Sequence, residues 1–387
     1  MTVPPTRRPV ALVTYSAKPR GGVVHTLALA DALHARGHPV HVFALGDPEA
    51  GFFRPVRAPY TIFPAPAHLP TLEERVFASI DALEDGLAAE ADGYGVLHTQ
   101  DCIAARAASR IRDRGWPLTV VRTVHHVDDF TSQVLVDCQR QAILEPDVIL
   151  AVSEHWRTLL DQKYGVNSGV VHNGVDVSRF RSVDQALTAR LRRAAGAADR
   201  PLLLSVGGIE PRKGSDTLVH ALSELKRTRL PSPVLAVLGG QSFQDHRAYR
   251  DRVLDKLPGL GLELGHDLVL LGTVPNDEVP GWYAAADALA FPSVKEGFGL
   301  AVLEAMSAGL PVVTSDLPVF REYLAHRREA LLVPVGDVAA LRDALASITH
   351  DDELRERLRT AGYATVRRFT WSASAAEHQQ LYDELPL

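Results

Sequence analysis

Short runs of apolar, β-branched residues recur along the chain, and segments with helical spacing of apolar and polar positions separate them. The runs that predict buried strands lie at 9–16, 38–45, 95–99, 117–124, 147–153, 169–173, 201–207, 233–239, 267–272, 287–293, 311–315 and 330–335. Most are nearly continuous in apolar character, which is typical of parallel strands covered by helices on both faces. The pattern therefore predicts an α/β protein.

This strand pattern occurs twice, and a segment that lacks it separates the two halves. The segment 181–200 is polar and rich in alanine, and it predicts a linker helix. We expect an N-terminal domain over 1–180 and a C-terminal domain over 201–363, each a Rossmann-like, doubly wound unit. The last segment, 364–387, has helical character and is expected to return to the N-terminal domain. Two such domains facing each other would form a ligand-binding cleft at the carboxyl ends of their strands.

Composition narrows the classes of protein. A length of 387 residues with 46% hydrophobic and 23% charged residues suits a two-domain soluble globular protein. The formal net charge of −6 argues against nucleic acid as a partner. The two cysteines, Cys102 and Cys138, are too few for a disulfide framework or a zinc ligand set. No apolar run approaches the length of a membrane span or a signal peptide, so we expect a cytoplasmic protein without stable membrane association.

Two glycines, Gly21 and Gly22, follow the first predicted strand and precede a helix. A glycine turn at a helix N-terminus presents free N–H groups and is a natural anion site. The segment does not contain the GxGxxG fingerprint of dinucleotide-binding folds. A tight strand-to-helix turn without a ligand is the alternative interpretation.

The second half opens in a similar way. Gly207 and Gly208 follow its first strand, and the cations Arg212 and Lys213 stand just before a helix that begins near Ser215. Adjacent cations at a helix N-terminus oppose the helix dipole unless an anion joins them. A phosphate fits, since arginine offers a bidentate fork and lysine a compact charge. The alternative is a pair of solvated loop cations.

The segment "SVKEGFGLAVLEAMSAGLPVVTS" (293–315) carries two glutamates around a glycine turn. Gly297 and Gly299 can expose backbone N–H groups at the start of a helix, and Glu296 stands at that positive end. Glu304 lies two turns further along among apolar residues. A carboxylate in such surroundings needs a donor, because a buried unpaired charge is costly. Ribose hydroxyls would supply one, and a core cation is the alternative.

A glycosidase dyad does not fit this spacing of the two glutamates. Eight helical residues separate their backbones by about 12 Å. Retaining hydrolases need carboxyl groups about 5–5.5 Å apart, and inverting hydrolases at most about 9.5 Å apart. Two separate roles along an extended ligand fit better.

Polar residues also end two strands of the first half. His125, His126 and Asp128 follow one strand, and His98 and Asp101 end another. At the carboxyl ends of parallel strands these side chains are expected to face the ligand cleft. Adjacent histidines on a strand point to opposite faces, so we expect no metal site. A histidine that orients substrate is the functional interpretation, and a structural histidine is the alternative.

Taken in order, these segments resemble the retaining GT-B glycosyltransferases of family four over nearly the whole chain. The matching segments are the early "GG" turn, "TVH" at 123–125, "SE" at 153–154, "NGVD" at 173–176, "GGIEPRKG" at 207–214 and "PSVKEGFGLAVLEAMSAGLPVV", with the family's E-x7-E signature. The resemblance implies a GT-B fold and transfer of a sugar, with retention, from a nucleoside-diphosphate sugar.

The resemblance also implies roles for the matching residues. Arg212 and Lys213 would hold the diphosphate, Glu304 would bind the ribose, Glu296 would position the donor sugar and His125 would lie beside it. The catalytic set is then His125, Glu296, Lys213 and Arg212. The donor-binding set is Gly21, Gly22, Gly208, Arg212, Lys213, Phe298, Gly299, Leu300 and Glu304. We expect no cofactor and no metal, since such enzymes usually work without one, and we favour a UDP-sugar as co-substrate.

The acceptor side is expected in the first half, at His98, Asp101, His126 and Asp128. The helix predicted within 57–87 is acidic, unlike a basic membrane-surface helix, so we favour a soluble small-molecule acceptor over a lipid. Two alternatives remain open at this point. A nucleotide-sugar epimerase on the same architecture would convert the donor alone, and a non-catalytic protein would only bind the nucleotide sugar.

Overall fold

Two parallel sheets organise the computed structural model, which describes residues 8–67, 69–228, 231–240 and 243–385. The chain divides into a first unit of Met1–Gly174 with Trp371–Leu387 and a second unit of Val175–Thr370. The positions 180, 200 and 363, at which the sequence predicted boundaries, all lie inside the second unit.

The first unit contains a sheet of seven strands in the order β3-β2-β1-β4-β5-β6-β7, and every pairing is parallel. Its strands are β1 (Val10–Thr14), β2 (Val40–Gly46), β3 (Tyr60–Pro64), β4 (Val96–Thr99), β5 (Thr119–Val124), β6 (Val148–Ala151) and β7 (Gly169–Val170). Its helices are α1 (Gly21–Ala35), α2 (Leu72–Glu90), α3 (Cys102–Asp113), α4 (Gln133–Leu144), α5 (Glu154–Tyr164) and, from the end of the chain, α15 (Trp371–Glu384).

The second unit contains a parallel sheet of six strands in the order β10-β9-β8-β11-β12-β13. The strands are β8 (Leu202–Val206), β9 (Val234–Leu238), β10 (Leu268–Gly272), β11 (Ala288–Phe291), β12 (Val312–Ser315) and β13 (Leu331–Val333). The helices are α6 (Val177–Arg181), α7 (Gln185–Ala194), α8 (Ser215–Lys226), α9 (Arg247–Asp255), α10 (Val279–Ala285), α11 (Leu300–Ser307), α12 (Pro318–Arg321), α13 (Val338–His350) and α14 (Asp352–Val366), with a short 3₁₀ turn at Pro211–Lys213.

Each run of apolar residues that predicted a strand contains one, so the α/β prediction is confirmed. The strand β3 was not predicted. It pairs only with β2 at the sheet edge, and just two of its residues, Ile62 and Phe63, are buried. Pro59 precedes it and Pro64 is its last residue, and prolines in so short a segment argue against a strand in a search for apolar runs.

Burial explains why these segments form strands and helices. All residues of β1, β4 and β11 are buried, as expected for strands covered on both faces. In the first unit α1 and α15 pack together, and Ala375 and Tyr382 of α15 join the same core cluster as β1 and β4. No helix in the described part of the chain is long and apolar enough to cross a membrane.

The strand order reverses once in each sheet, between β1 and β4 in the first unit and between β8 and β11 in the second. In open α/β sheets ligands bind at such switch points, outside the carboxyl ends of the strands. The switch point of the second unit lies beside the loops that follow β8 and β11. That of the first unit lies beside the loops that follow β1 and β4. Most of the residues predicted from sequence lie on these four loops or the helices that they begin.

Candidate functional site

The loop after β8 begins with two glycines that packing requires. Gly207 and Gly208 have φ angles of 120° and 72°, which favour glycine. A Cβ at Gly207 would overlap the side chain of Lys213, and one at Gly208 would lie 2.7 Å from the carbonyl oxygen of Gly240. Gly207 therefore lets Lys213 lie directly against the backbone. Internal packing alone is sufficient to explain the glycine at 208. The role of Gly208 in binding a donor stays a prediction.

The loop continues into the 3₁₀ turn Pro211–Lys213 and is joined there to the loop after β11. Gly214, at a φ of 65°, has no room for a Cβ because the carbonyl of Pro292 lies against it. The N–H of Val294 donates to the carbonyl of Arg212 over 2.8 Å. These contacts fix the cation loop to the segment that carries Glu296.

The predicted cations meet the first predicted glutamate at this junction. Lys213 Nζ lies 2.7 Å and Arg212 Nη1 lies 3.0 Å from the same oxygen, Oε1 of Glu296. Lys213 also lies 4.5 Å from the ring centroid of Phe291, a cation–π contact. The side chains of Lys213 and Glu296 are only 11% and 9% exposed, so Lys213 is not a solvated loop cation.

The electrostatics of this cluster follow from burial and mutual attraction. Burial alone would raise the pKa of Glu296, but the charges of Lys213 and Arg212 outweigh it and lower that pKa to about 2. Burial lowers the pKa of Lys213, and Glu296 opposes that shift. Glu296 therefore stays ionised at every ordinary pH and helps to keep Lys213 protonated. Two cations lie around the one carboxylate oxygen, and the charge of Glu210 on the same loop also acts on Lys213.

The helix α11 begins next to this cluster at the glycine turn predicted from sequence. Gly299 has a φ of 89°, and a Cβ there would overlap the ring of Phe320. The carbonyl of the buried Phe298 accepts a hydrogen bond from Tyr323 Oη over 2.8 Å. The N–H groups of the first turn, beginning at the half-buried Leu300, are thereby directed outward from a fixed start.

Glu304, the second predicted glutamate, is held by a residue that the sequence did not indicate. Its Oε2 accepts a 2.6 Å hydrogen bond from the hydroxyl of Tyr283 on α10. Burial raises the pKa of Glu304, while Tyr283 and the charge of Arg179 act in the opposite direction. In the structure the partner of Glu304 is thus a tyrosine hydroxyl rather than a core cation.

In the first unit, α1 begins at Gly21, so the two predicted glycines form its first turn. A Cβ at Gly21 would meet no described atom within 4 Å, and one at Gly22 would lie 3.9 Å from Cδ2 of His125. Internal packing therefore does not require glycine at either position. This contrasts with Gly207, Gly208 and Gly214, and it leaves close approach of a ligand as a reason for the glycines.

His125 lies beside this turn and is neutral. Its Nε2 donates to Oε1 of Gln100 over 3.1 Å, which leaves Nδ1 with a lone pair. The ring of His25, on α1, meets it edge-on at 4.6 Å between centroids. Burial, reinforced by His126 and Arg122, lowers the pKa of His125 to about 3. The imidazole can accept or donate a hydrogen bond, but it is not a charged acid at neutral pH.

Two of the predicted acceptor-side residues make hydrogen bonds within the first unit. His98 is fully buried, and its two ring nitrogens bond to the hydroxyls of Tyr382, at 2.6 Å, and Thr123, at 2.8 Å. Asp101 caps α3 by accepting from the N–H of Ala104 over 2.8 Å, and its other oxygen accepts from the N–H of Tyr15. Both ring nitrogens of the buried His98 are occupied, which corrects the prediction for that residue. The half-buried carboxylate of Asp101 caps a helix, and its role toward an acceptor stays a prediction.

The other two acceptor-side residues lie at the surface of the first unit. His126 and Asp128 are 38% and 33% exposed and form a pair 3.4 Å apart between Nε2 and Oδ1. The backbone of Asp128 is fixed through its N–H and carbonyl by the buried amide of Gln139. In the described residues, no group of three histidine, cysteine or acidic side chains is placed to hold a metal ion.

Comparison with known proteins then places the chain in a family. Residues 19–179 match the family described as Glycosyltransferase Family 4, and residues 189–365 match Glycosyl transferases group 1. The phosphatidyl-myo-inositol mannosyltransferase of Mycobacterium tuberculosis strain H37Rv is 31% identical over 390 residues, covering 95% of this chain and 94% of that protein. The chain is a family 4 glycosyltransferase.

Other comparisons agree with this family. The D-inositol 3-phosphate glycosyltransferase of Corynebacterium jeikeium strain K411 is 30% identical over 319 residues, covering 77% of this glycosyltransferase and 74% of that one. The structure is also similar to that of Anabaena HepE in complex with UDP and glucose, with a TM-score of 0.81, 20% identity and coverage of 98% and 100%. The predictions of a GT-B fold and of a glycosyltransferase are confirmed.

Sequence reasoning missed several residues around the candidate site of this glycosyltransferase. Tyr283 and Phe291 contact Glu304 and Lys213, and Gln100 and His25 contact His125. Phe291 was within a predicted strand, and the strand's direction toward the cation loop could have indicated it. The pairing of Tyr283 with a glutamate 21 positions later had no local signal.

Proposed function

We propose that this glycosyltransferase moves a sugar, with retention of anomeric configuration, from a nucleoside-diphosphate sugar to a hydroxyl of a small-molecule acceptor. A UDP-sugar is the favoured donor. The observation that carries the proposal is the junction of Arg212, Lys213 and Glu296 at the switch point of the second sheet. It concentrates positive charge beside the N-terminus of α11, as a diphosphate requires.

The donor roles follow from that junction. Arg212 and Lys213 hold the diphosphate, and Glu304 accepts hydrogen bonds from the ribose hydroxyls. Glu296 orients both cations, and with the backbone from Phe298 to Leu300 it positions the donor sugar. On the first unit, the open first turn at Gly21 and Gly22 allows a phosphate to approach the backbone.

The proposed step is a front-face displacement. The bond between the anomeric carbon and the phosphate oxygen breaks, and its electron pair leaves with the nucleoside diphosphate. The acceptor oxygen bonds to the same face of an oxocarbenium-like carbon, and its proton passes to the departing phosphate. Lys213 and Arg212 stabilise the charge that develops on the leaving group, the role that a divalent cation has in other transferases.

His125 is assigned to the reacting sugar as a neutral hydrogen-bonding group. Gln100 fixes its ring through Nε2, and the low pKa of the imidazole keeps it uncharged. A neutral group beside an oxocarbenium-like carbon avoids the repulsion that an imidazolium would bring. His125 therefore orients the sugar without acting as a charged acid.

For the acceptor we propose a soluble polyol or polyol phosphate. The names of the two relatives specify D-inositol 3-phosphate and phosphatidyl-myo-inositol, which share the inositol ring. The helix α2 carries six carboxylates and one arginine, the opposite of a helix that binds an anionic membrane surface. The acidic character of α2 favours a soluble acceptor such as an inositol phosphate over phosphatidylinositol. His126 and Asp128 are available to contact it.

A thermal-shift panel of UDP, GDP and ADP tests the donor site first. A ligand that binds only the native state raises the melting temperature by mass action. We expect the largest shift with UDP, and no comparable shift for the variant K213A. A preference for GDP or ADP would overturn the choice of base, and no shift with any of the three at millimolar concentration would overturn the site.

Transfer is then measured by chromatography with UDP-sugars and three acceptors: myo-inositol, an inositol phosphate, and phosphatidylinositol in vesicles. Acceptor-dependent release of UDP with a soluble acceptor is the expected result, and the anomeric coupling constant of the product reports retention. Transfer to the vesicles alone would contradict the soluble acceptor, and an inverted product would contradict the displacement on the front face.

A further inference from the structure

Tyr283 is buried beside Glu304, and its hydroxyl makes one of the shortest hydrogen bonds in the second unit. The side chain is 1% exposed, and its hydroxyl lies 2.6 Å from Oε2 of Glu304. Its ring packs edge-on against Phe180 of α6 at 5.3 Å between centroids and 88° between planes. The hydroxyl is therefore fixed in direction by the packing of α10 and α6.

The chemistry of this pair allows only one arrangement of the proton. Burial, with the charge of Glu304, raises the pKa of Tyr283 well above its usual value, so the phenol stays protonated and donates. Glu304 accepts at Oε2. Each carboxylate oxygen has two lone pairs, so Oε1 and the remaining lone pair of Oε2 can still accept hydrogen bonds. A ribose presents two adjacent hydroxyls, which a carboxylate can accept together.

We propose that Tyr283 is a positioning residue for the nucleotide: it holds Glu304 by Oε2 and directs the rest of the carboxylate toward the two ribose hydroxyls. This inference rests on the proposed donor site and adds a residue to it. The half-buried Glu304 would otherwise have to be ordered when the nucleotide binds, at the cost of its side-chain entropy. Tyr283 removes that cost before binding.

A charge on α6 favours the same arrangement. Arg179 is fixed by two hydrogen bonds from Nη2, to the carbonyl oxygen of Asn276 at 2.7 Å and to its Oδ1 at 2.8 Å. Among the described residues, Tyr283 on α10 and Arg179 on α6 are the titratable or charged groups that act on Glu304. Both favour the ionised carboxylate, which is the form that can only accept.

The test measures how strongly the protein recognises the ribose hydroxyls. Calorimetric Kd values are determined for UDP and 2′,3′-dideoxy-UDP, and for the corresponding GDP and ADP pairs, with wild type, Y283F, E304Q and the double variant. We expect wild type to prefer the ribonucleotide by about 10- to 100-fold, the range for hydrogen bonds to a charged group. Y283F keeps the ring against Phe180, and its preference should fall to about threefold or less.

The double variant separates positioning from a structural effect. If Tyr283 acts through Glu304, the ribose preference of Y283F/E304Q should equal that of E304Q alone. A further loss of preference in the double variant would overturn the inference, because Tyr283 would then act by another route. A wild-type preference that persists unchanged in Y283F would overturn it as well.

The pH dependence of the ribose preference is a second readout, and a mere loss of packing in Y283F would not shift it. The ribose preference should decline as pH falls through the pKa of Glu304, because a protonated carboxyl loses acceptor capacity. Removing the Tyr283 hydroxyl removes one influence that lowers this pKa, so the decline in Y283F should begin at higher pH, by about 0.5–1 pH unit. The ratio to the dideoxy nucleotide cancels the titration of the phosphates.

A matched control is available in the first unit. Tyr382 is also 1% exposed and its hydroxyl also makes a 2.6 Å bond, to Nδ1 of His98. Y382F should lower the melting temperature and leave the ribose preference unchanged. If wild type binds none of the nucleotides, the proposed donor site fails; if it binds and distinguishes ribose but Y283F does so equally, only the role of Tyr283 fails.

Discussion

The two switch points have the same topology, but the titratable side chains buried at or beside them differ in charge. In the second unit the loops after β8 and β11 bring together ionised groups, Lys213, Arg212 and Glu296. In the first unit Gln100, on the loop after β4 at the switch point, bonds to His125 on the loop after the neighbouring strand β5, and this imidazole is neutral. The second region thus buries a cluster of ionised side chains, whereas the first buries an imidazole that stays neutral although the charge of Arg122 acts on it.

The difference shows two ways of burying titratable side chains. Lysine and glutamate remain charged in the interior because each supplies the counter-ion of the other. A buried histidine avoids the cost of burying a charge, because it can lose its proton near neutral pH. His25, His98 and His378 lie near His125, and burial lowers the pKa of every one of them. The first unit therefore keeps four imidazoles without a carboxylate partner among these contacts.

The largest effect should come from removing the central cation of the charged region. Lys213→Ala deletes the group assigned to the leaving phosphate, and we expect kcat to fall by about 100- to 1,000-fold. Lys256→Ala is the matched control, because Lys256 pairs with Asp216 at the surface. Steady-state release of the nucleoside diphosphate provides the measurement. A kcat within threefold of wild type would show that the charged region does not act on the leaving group.

The neutral region is tested with two adjacent histidines. His125→Ala should lower kcat by about 10- to 100-fold with little change in nucleotide Kd, since one oriented hydrogen bond is lost. His126→Ala, at the exposed neighbour, should change KM for the acceptor rather than kcat. Because the pKa of His125 is about 3, its titration should leave no limb in the kcat profile between pH 5 and 8. A limb near pH 6.5 that His125→Ala removes would contradict the neutral role.

A smaller effect on the pH profile is expected from the carboxylate of the charged region. Burial lowers the pKa of Lys213 and Glu296 raises it, so Glu296→Gln should lower that pKa further. Turnover needs the protonated amine and is lost as pH rises through its pKa. The alkaline limb of kcat/KM should therefore move to lower pH in the variant, by about 1 pH unit or more. A limb that does not move would assign it to another group.

The smallest effect is a loss of folding stability in mild acid. We expect this loss in the first unit and not around Glu296 in the second. The buried imidazoles bind a proton in the unfolded chain near pH 6.5, but His378 does so in the folded chain only near 4 and His125 near 3. Each neutral imidazole therefore contributes fully to the free energy of unfolding above pH 6.5. This contribution falls by about 1.4 kcal/mol per pH unit for each group as the pH decreases toward the folded-state pKa.

Hydrogen-exchange protection at pH 7 and pH 5.5, corrected for intrinsic rates, measures this loss for each unit. Amides of the first unit should lose protection, and those around Glu296 should not, since the contribution of that carboxylate is lost only between about pH 4.5 and 2. His378→Phe keeps a ring and removes one titrating group, so it should reduce the loss. Equal loss of protection in both units would contradict the contrast between them.

The sequence predicted the features that local patterns determine. Buried parallel strands leave continuous apolar runs. A glycine turn with adjacent cations also placed Arg212 and Lys213 in the loop between a strand and a helix, where the structure has them. The role of Asp101 could also have been predicted. An acid immediately before a helical segment is a common N-cap, and Asp101 stands at such a position before α3.

Other features depend on contacts that no local pattern reveals. The sequence placed His98 at a strand end but could not tell which face of the sheet its ring would occupy, and Tyr382 lies 284 residues away. The strand β3 is short and lies between prolines at a sheet edge, so it has no apolar run. Tyr283 and Glu304 lie on different helices, and only the packing of α10, α6 and α11 brings them within 2.6 Å.

The position of α15 has a consequence for how the chain is made. The first unit is discontinuous, because its core includes Tyr382 and Ala375 from the final helix, whereas Val175–Thr370 is one continuous segment. During synthesis the second unit can therefore finish folding first, although it is encoded later. The rest of the first unit, nearly half of the chain, must wait until α15 has been synthesised. A stop just before Trp371 should consequently damage the first unit, which precedes it in the chain, more than the second.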